Sequence, residues 1–323
     1  MELQSIRSLP VGYLSVIEMH PLDFEEYCWA RGVSSLLIDE VASAYEGLRP
    51  VDDLVHNRLM DEFHHYLLSG GMPDAVNALS QTSNMQEVRA RQGDITALHR
   101  LDISKYAGNR ARTVRRIFDL IPVELDTQPK RFAFGHTEGE SRFNRYDNDF
   151  TWLVDEGITI PVCNVGEPRY PLELSADSSY FRLFLCDVGL LTYLAGMDVV
   201  RDLVLNRPYI NFGSIYENFV ARELVARGLC HPSPDRHAFF YRSRRLGGLD
   251  FVFEDSEHRA VPLEVKSGKS YRYHSALSNA LEIENYGIER AIALHEGNME
   301  VGGKVEVDGN VAYLPMYMTM VLD

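Results

Sequence analysis

Apolar residues in the first part of the chain recur at the spacing of one helix face. The stretch "PLDFEEYCWARG" (21–32) begins at Pro, carries acidic residues in its first turn and ends at Gly, as helices do. The stretch "LMDEFHHYLLSGGMP" (59–73) has an amphipathic helical pattern and ends in Gly-Gly before Pro. Residues 1–95 are therefore predicted to be helical.

The middle part, residues 96–200, mixes helix and strand patterns. The arginine-rich stretch "ARTVRRIFDLIPVEL" (111–125) places its apolar residues on one helical face. The stretch "DNDFTWLVDEGITIPVCNV" (147–165) predicts a helix that stops at Gly157, followed by a strand. A helix and a hairpin-like piece beside an arginine-rich helix are compatible with a winged helix. The alternative is a packing scaffold between two domains.

Strand patterns dominate the last part, residues 201–323. The stretch "NFGSIYENFVARELVARG" (211–228) predicts a helix that ends at Gly228. After it we predict strands at 237–243, 249–255 and 259–267, a helix from 275 that breaks at Gly287, and strands at 290–296 and 311–318. The predicted fold class is therefore α/β (α+β), with a helical and winged-helix-like N-terminal part followed by a mixed sheet flanked by helices.

Charged residues interrupt two of these strands in a regular way. Strand side chains alternate between faces, so Asp250 lies on the face opposite to its apolar neighbours in "LDFVFED". Glu264 and Lys266 share one face of "VPLEVK". If the two runs form a hairpin centred on Glu257, Asp250 lies opposite Glu264, with Cβ atoms about 5 Å apart.

Two carboxylates at that separation resist ionising together unless a positive charge lies nearby. Mg²⁺ binds in proteins through one or two carboxylates plus phosphate and water, and Lys266 on the same face would lie beside the ion. Glu217, on the predicted helix upstream, offers a third carboxylate. The alternative is an exposed sheet face that carries charges, with an ordinary ion pair between Glu264 and Lys266.

These residues resemble the signature of the restriction-endonuclease-like, or PD-(D/E)XK, phosphodiesterase superfamily: a helical Glu, a strand Asp, and Glu-x-Lys on the next strand. The stretches "GSIYENFVARELVARG", "FYRSRRLGGLDFVFED" and "VPLEVKSG" are similar to one branch, the prokaryotic AAA-type ATPases whose C-terminal half is a domain of unknown function with this core. "SLPVGYLSVIEMHPLDFEEY", "YLLSGGMPDAV" and "FRLFLCDVGLLTYLAG" resemble earlier parts of that family, so the resemblance spans nearly the whole chain.

The resemblance implies a role for each matching residue. Glu217 matches the helical carboxylate, Asp250 the metal-bridging Asp, Glu264 the second carboxylate ligand and Lys266 the catalytic lysine, while the carbonyl of Val265 is a further ligand. The implied metal is Mg²⁺ or Mn²⁺. One departure is the pair Gly248-Leu249 before the Asp, where relatives often have Glu-Val, which changes the local polarity.

A second departure concerns ATP. The resemblance places residue 1 at the end of the family's ATPase domain, so we expect a chain without the ATP-binding half, from a shortened gene or expression product. "SGKS" (267–270) is not the phosphate-binding loop GxxxxGK[ST], because Leu263 stands where that loop requires Gly. Neither ATP binding nor ATPase activity is expected. The predicted domains are a helical remnant of the ATPase domain with the following helices (1–95), a winged-helix-like or scaffold region (96–200) and a restriction-endonuclease-like domain (201–323).

The composition is that of an ordinary globular protein, with 45% hydrophobic, 24% charged and 11% aromatic residues. No apolar run approaches the roughly 18 residues of a membrane helix, and the N-terminus lacks the pattern of a signal peptide. We therefore expect a cytoplasmic protein with no membrane partner. The cysteines are far apart and predicted to be buried, idle thiols; they are Cys28, Cys163, Cys186 and Cys230.

The net charge of −15 disfavours broad contact with nucleic acid, so any DNA binding requires local basic surfaces. Two stretches qualify, "NRARTVRR" (109–116) and "YRSRR" (241–245). The candidate phosphate contacts are Arg112, Arg115, Arg116, Arg242, Arg244 and Arg245.

Three functions remain open on the sequence. The first is a metal-dependent nuclease or nuclease-like DNA-binding domain. The second is a catalytically inert interaction module that docks a protein partner, nucleic acid, the ATPase portion of the similar family or another copy of the chain. The third is a regulatory protein whose arginine-rich helix binds DNA through a winged helix.

Overall fold

A single seven-stranded sheet organises the chain in the computed structural model, and helices pack against it. The structure describes residues 19–127, 143–196, 212–229, 238–243, 246–268, 272, 275–300 and 310–323. Within these residues the α-helices are α1 (Phe24–Ala30), α2 (Ser35–Glu46), α3 (Asp53–Ser69), α4 (Pro73–Thr82), α5 (Met85–Tyr106), α6 (Ala111–Asp126), α7 (Phe143–Asp155), α8 (Val188–Ala195), α9 (Gly213–Ala226) and α10 (Ser275–Leu281). The strands are β1 (Thr159–Val165), β2 (Ala176–Leu185), β3 (Ala238–Ser243), β4 (Gly247–Glu254), β5 (Ala260–Val265), β6 (Ala291–His295) and β7 (Val311–Pro315).

Residues at the helix ends fix the bounds of the N-terminal helices. Asp23 caps α1 by accepting the Glu26 N–H, and the Glu26 side chain accepts the Asp23 N–H in return. Pro73 stands in the first turn of α4. α5 crosses the predicted boundary at residue 95, because its helical pattern continues to Tyr106 without a break.

The sheet has the strand order β2-β1-β3-β4-β5-β6-β7 and mixes parallel with antiparallel pairs. β1 is antiparallel to β2 and parallel to β3, β3-β4-β5 is an antiparallel run, and β5-β6-β7 is parallel. The prediction of a helical N-terminal region followed by a mixed sheet flanked by helices is confirmed.

The sheet crosses the boundary predicted near residue 200. β1 and β2 precede that boundary, yet β1 pairs with β3 from the last part of the chain. All but one residue of β1 are buried, as expected for a strand inside a sheet with both faces covered. The two strands thus extend the large sheet.

Helix α9 connects the sheet to the N-terminal helices. Every residue from Ser214 to Val225 is buried, so the helix is covered on all sides. Its Phe219 contacts aromatic rings of the N-terminal helices, with ring centroids 4.9 Å from Phe63 and 6.0 Å from Phe24. These contacts place the helix that carries Glu217 at the centre of one continuous core.

Three of the cysteines, Cys28, Cys163 and Cys186, are free and buried, as predicted, while Cys230 lies outside the described residues. Burial raises the pKa of the Cys163 and Cys186 thiols to about 12, which keeps them protonated and unreactive near neutral pH. Among the helices that the structure describes, none combines the length and apolarity that a membrane span needs.

Candidate functional site

The β4-β5 hairpin has the register that the sequence predicts. Phe251 pairs with Leu263 and Glu254 with Ala260, so Asp250 stands opposite Glu264. Asp250 Oδ2 accepts a hydrogen bond from the Val265 N–H at 3.0 Å. The Asp250 carboxylate is therefore held against β5 at the point where Glu264 and Lys266 emerge.

Glu264 and Lys266 form an ion pair at the end of β5. Glu264 is 5% exposed, and burial, followed by the nearby Asp250 carboxylate, raises its pKa to about 7. Lys266 opposes this effect on the Glu264 pKa, and Glu217 adds to it. Glu217, Asp250, Glu264 and Lys266 therefore lie within electrostatic reach of one another.

One buried cation at this site was missed by sequence reasoning. Arg182 on β2 extends its guanidinium to within 3.6 Å of the Glu217 carboxylate and donates to the main-chain carbonyl of Asp250 at 3.3 Å. Its guanidinium carbon lies 4.3 Å from the centre of the Phe240 ring on β3. The signal in the sequence was an arginine inside the apolar run "YFRLFL" (180–185), a position where a charge must find a partner.

The donor chemistry of the site suits a divalent metal ion. Glu217, Asp250 and Glu264 offer carboxylate oxygens, the ligands that hard divalent cations prefer. Burial, more than the neighbouring carboxylates, raises the pKa of Glu264. Across the described ranges, however, no group of three or more His, Cys, Asp and Glu side chains is placed so that it could hold a metal ion. Instead, Arg182 and Lys266 each lie against one carboxylate.

The predicted arginine contacts lie on two separate elements. Arg112, Arg115 and Arg116 are exposed on α6, where Asp119 lies 3.8 Å from Arg115 and offsets part of the positive charge. Arg242 is exposed on β3, next to the hairpin of the site. Arg244 and Arg245 lie outside the described residues. Among the predicted phosphate contacts that the structure describes, Arg242 lies on β3, the strand that pairs with the Asp250 strand β4.

Family comparisons divide the chain into two matched ranges. Residues 60–201 match the model of a domain of unknown function, DUF8612, and residues 212–317 match that of another, DUF4143. The second is commonly associated with AAA ATPase proteins. A search of curated proteins and a search of solved structures returned no match. The second range contains Glu217, Asp250, Glu264 and Lys266, whereas Arg182 belongs to the first.

Proposed function

We propose that residues 212–323 form the nuclease-like centre of a protein of the AAA-type ATPase family, with phosphodiester hydrolysis in DNA or RNA as its reaction. One observation supports this most directly. Asp250 on β4 lies opposite Glu264 on the paired strand β5, and Glu264 forms an ion pair with Lys266. Burial, followed by the Asp250 carboxylate, raises the pKa of Glu264 to about 7, and Glu217 adds to this effect. This is the combination of residues that the PD-(D/E)XK resemblance requires.

The residues have distinct tasks in this proposal. Glu217, Asp250, Glu264 and the Val265 carbonyl would hold Mg²⁺ or Mn²⁺, which when bound supplies Lewis-acid polarisation of a phosphoryl oxygen. The Lys266 ammonium would orient the attacking water and stabilise charge on the phosphate. Glu264 would act in its ionised form, which both Lys266 and a bound cation favour.

Other parts of the proposal follow from the same residues. Arg242, Arg244 and Arg245 would contact nucleic acid phosphates, and the α6 arginines would form a second basic surface for phosphates. ATP is not expected as a ligand, because the chain has no complete phosphate-binding loop. We place the protein in the cytoplasm, without a membrane partner.

The test is hydrolysis of single- and double-stranded DNA and RNA at pH 8 with Mg²⁺ or Mn²⁺. Asp250→Asn and Lys266→Met should each lower the rate at least about 100-fold, because each removes a charge that acts on the reacting phosphate. The matched controls Asp126→Asn and Lys105→Met make the same changes at exposed positions on α6 and α5, away from the β4-β5 hairpin, and should retain full activity. A wild-type protein that cleaves none of these substrates with either metal contradicts the enzymatic proposal.

A second candidate is the catalytically inert interaction module, docking a protein partner or another copy of the chain. It is favoured by the pairing of Glu217 with Arg182 and of Glu264 with Lys266, which stabilises the carboxylates without a metal. In that case the wild-type protein would show no hydrolysis. Asp250→Asn and Lys266→Met would change only the midpoint of thermal unfolding.

A further inference from the structure

Arg182 is fixed in place by three contacts on three different elements. Its guanidinium lies against the Glu217 carboxylate of α9, donates to the Asp250 carbonyl of β4 and packs on the Phe240 ring of β3. The residue is 5% exposed, so little water screens its charge. A buried arginine of this kind is a fixed positive charge beside the carboxylates.

The charges of the site explain what this arginine does. Three carboxylates in one buried region repel one another, and Lys266 neutralises Glu264 from the solvent side. Arg182 neutralises Glu217 from the inner side, at 3.6 Å. The two cations leave one net negative charge when all three carboxylates are ionised.

We propose that Arg182 is a built-in counter-ion that holds Glu217 while the site contains no metal and competes with a divalent cation for that carboxylate. This inference rests on the proposed site, whose residues it extends to β2. A cation that binds Glu217 must displace the guanidinium, because two positive charges so close together repel strongly in a medium of low dielectric constant, and the cost of that displacement weakens its binding.

The experiment measures Mn²⁺ binding by the full chain, through the electron paramagnetic resonance signal of free Mn²⁺ at pH 8. Arg182→Gln should bind Mn²⁺ at least about tenfold more tightly than wild type, because a buried positive charge is gone. Arg169→Gln, which removes an exposed arginine that pairs with Glu167, is the matched control for net charge and should bind as wild type does. The double variant Arg182→Gln/Glu217→Gln should lose the gain.

A purely structural role for Arg182 predicts a different result. In that case Arg182→Gln would lower the thermal midpoint and leave Mn²⁺ affinity unchanged or reduced, which would overturn the proposal, as would an absence of Mn²⁺ binding in both proteins. If Arg182→Gln does not fold, wild-type crystals soaked in Mn²⁺ decide the question. Displacement of the guanidinium from Glu217 supports the proposal, and Mn²⁺ bound to Glu217 with the pair intact contradicts it.

The same titration separates this inference from the proposed function. Tighter Mn²⁺ binding by Arg182→Gln, without hydrolysis by either protein, would support the counter-ion and reject the nuclease. Hydrolysis by wild type, together with equal Mn²⁺ affinity in both proteins, would support the nuclease and reject the counter-ion.

Discussion

Two neighbouring ionisable residues, Arg222 and Glu223, are buried on α9 and hold the start of α1. Glu223 Oε1 accepts the Phe24 N–H at 3.0 Å, and Arg222 donates to the carbonyl of Pro21. Burial, followed by the nearby Asp23, raises the pKa of Glu223 to about 8. At neutral pH the folded protein therefore retains a proton on Glu223 that the unfolded chain releases near its ordinary pKa of about 4.5.

This difference in proton binding predicts a pH dependence of stability. Because the folded state binds the extra proton, Glu223 contributes its full stability below about pH 4.5 and loses it as pH rises towards about 8. Glu223→Gln should remove that decline, about 4 kcal/mol between pH 5 and 8.5. Urea denaturation of both proteins from pH 5 to 8.5 measures it, since the difference between the two curves isolates Glu223. Parallel curves would contradict this assignment.

At the scale of elements, the turn between α3 and α4 fits closely against the start of α8. Asp187 caps α8 by accepting the Leu190 N–H at 2.9 Å, and its other oxygen accepts the Gly71 N–H at 2.6 Å. A Cβ on Gly71 would lie 1.8 Å from the Leu22 carbonyl oxygen, and one on Gly189 would lie 2.4 Å from the Ser69 backbone. The motifs "YLLSGGMPDAV" and "LFLCDVGLLTYLAG" thus contact each other, and Gly189 permits that contact. Gly71 permits a second close contact, that of the α3-α4 turn with the backbone of Leu22.

Substitution at this contact should therefore destabilise the protein. Gly71→Ala places a methyl group where the backbone of Leu22 leaves no room, so we expect a loss of at least about 2 kcal/mol in the free energy of unfolding. Gly166→Ala is the matched control, because its Cβ would meet Ser175 at an ordinary 3.5 Å. Thermal and urea denaturation compare the two, and equal stability would show that the α3-α4 turn can shift.

On the scale of the whole molecule, the two matched family ranges share one sheet and one core. β1 and β2 lie in the first range, β3 to β7 lie in the second, and β1 pairs with β3 across the division. Helix α9 likewise contacts α3 and α8 from the first range. Neither range contains the complete sheet. The proposed counter-ion Arg182 lies in the first range, whereas the carboxylates beside it lie in the second.

A fragment of residues 212–323 should consequently fail to fold by itself. It would lack the β1 partner of β3 and the helices that cover α9, so much of its apolar surface would face water. Circular dichroism and size-exclusion chromatography should show an aggregated or unfolded fragment, and co-expression with residues 1–211 should recover a folded complex. A monomeric fragment with a cooperative thermal transition would refute this prediction.

The sequence by itself determined the features that depend on neighbours along the chain. The alternation of apolar and charged residues in two strands joined by a short turn was enough to place Asp250 opposite Glu264. The helical spacing of apolar residues, together with Gly and Pro at helix ends, located most helices, among them the one that carries Glu217. Only the tertiary structure decided which distant elements meet. Strand alternation states which face a residue occupies but not which strand lies beside it, so neither the β1-β3 pair nor the approach of Arg182 to Glu217 was predictable. Both depend on how the sheet and α9 bury their apolar surfaces together, a property of the whole core.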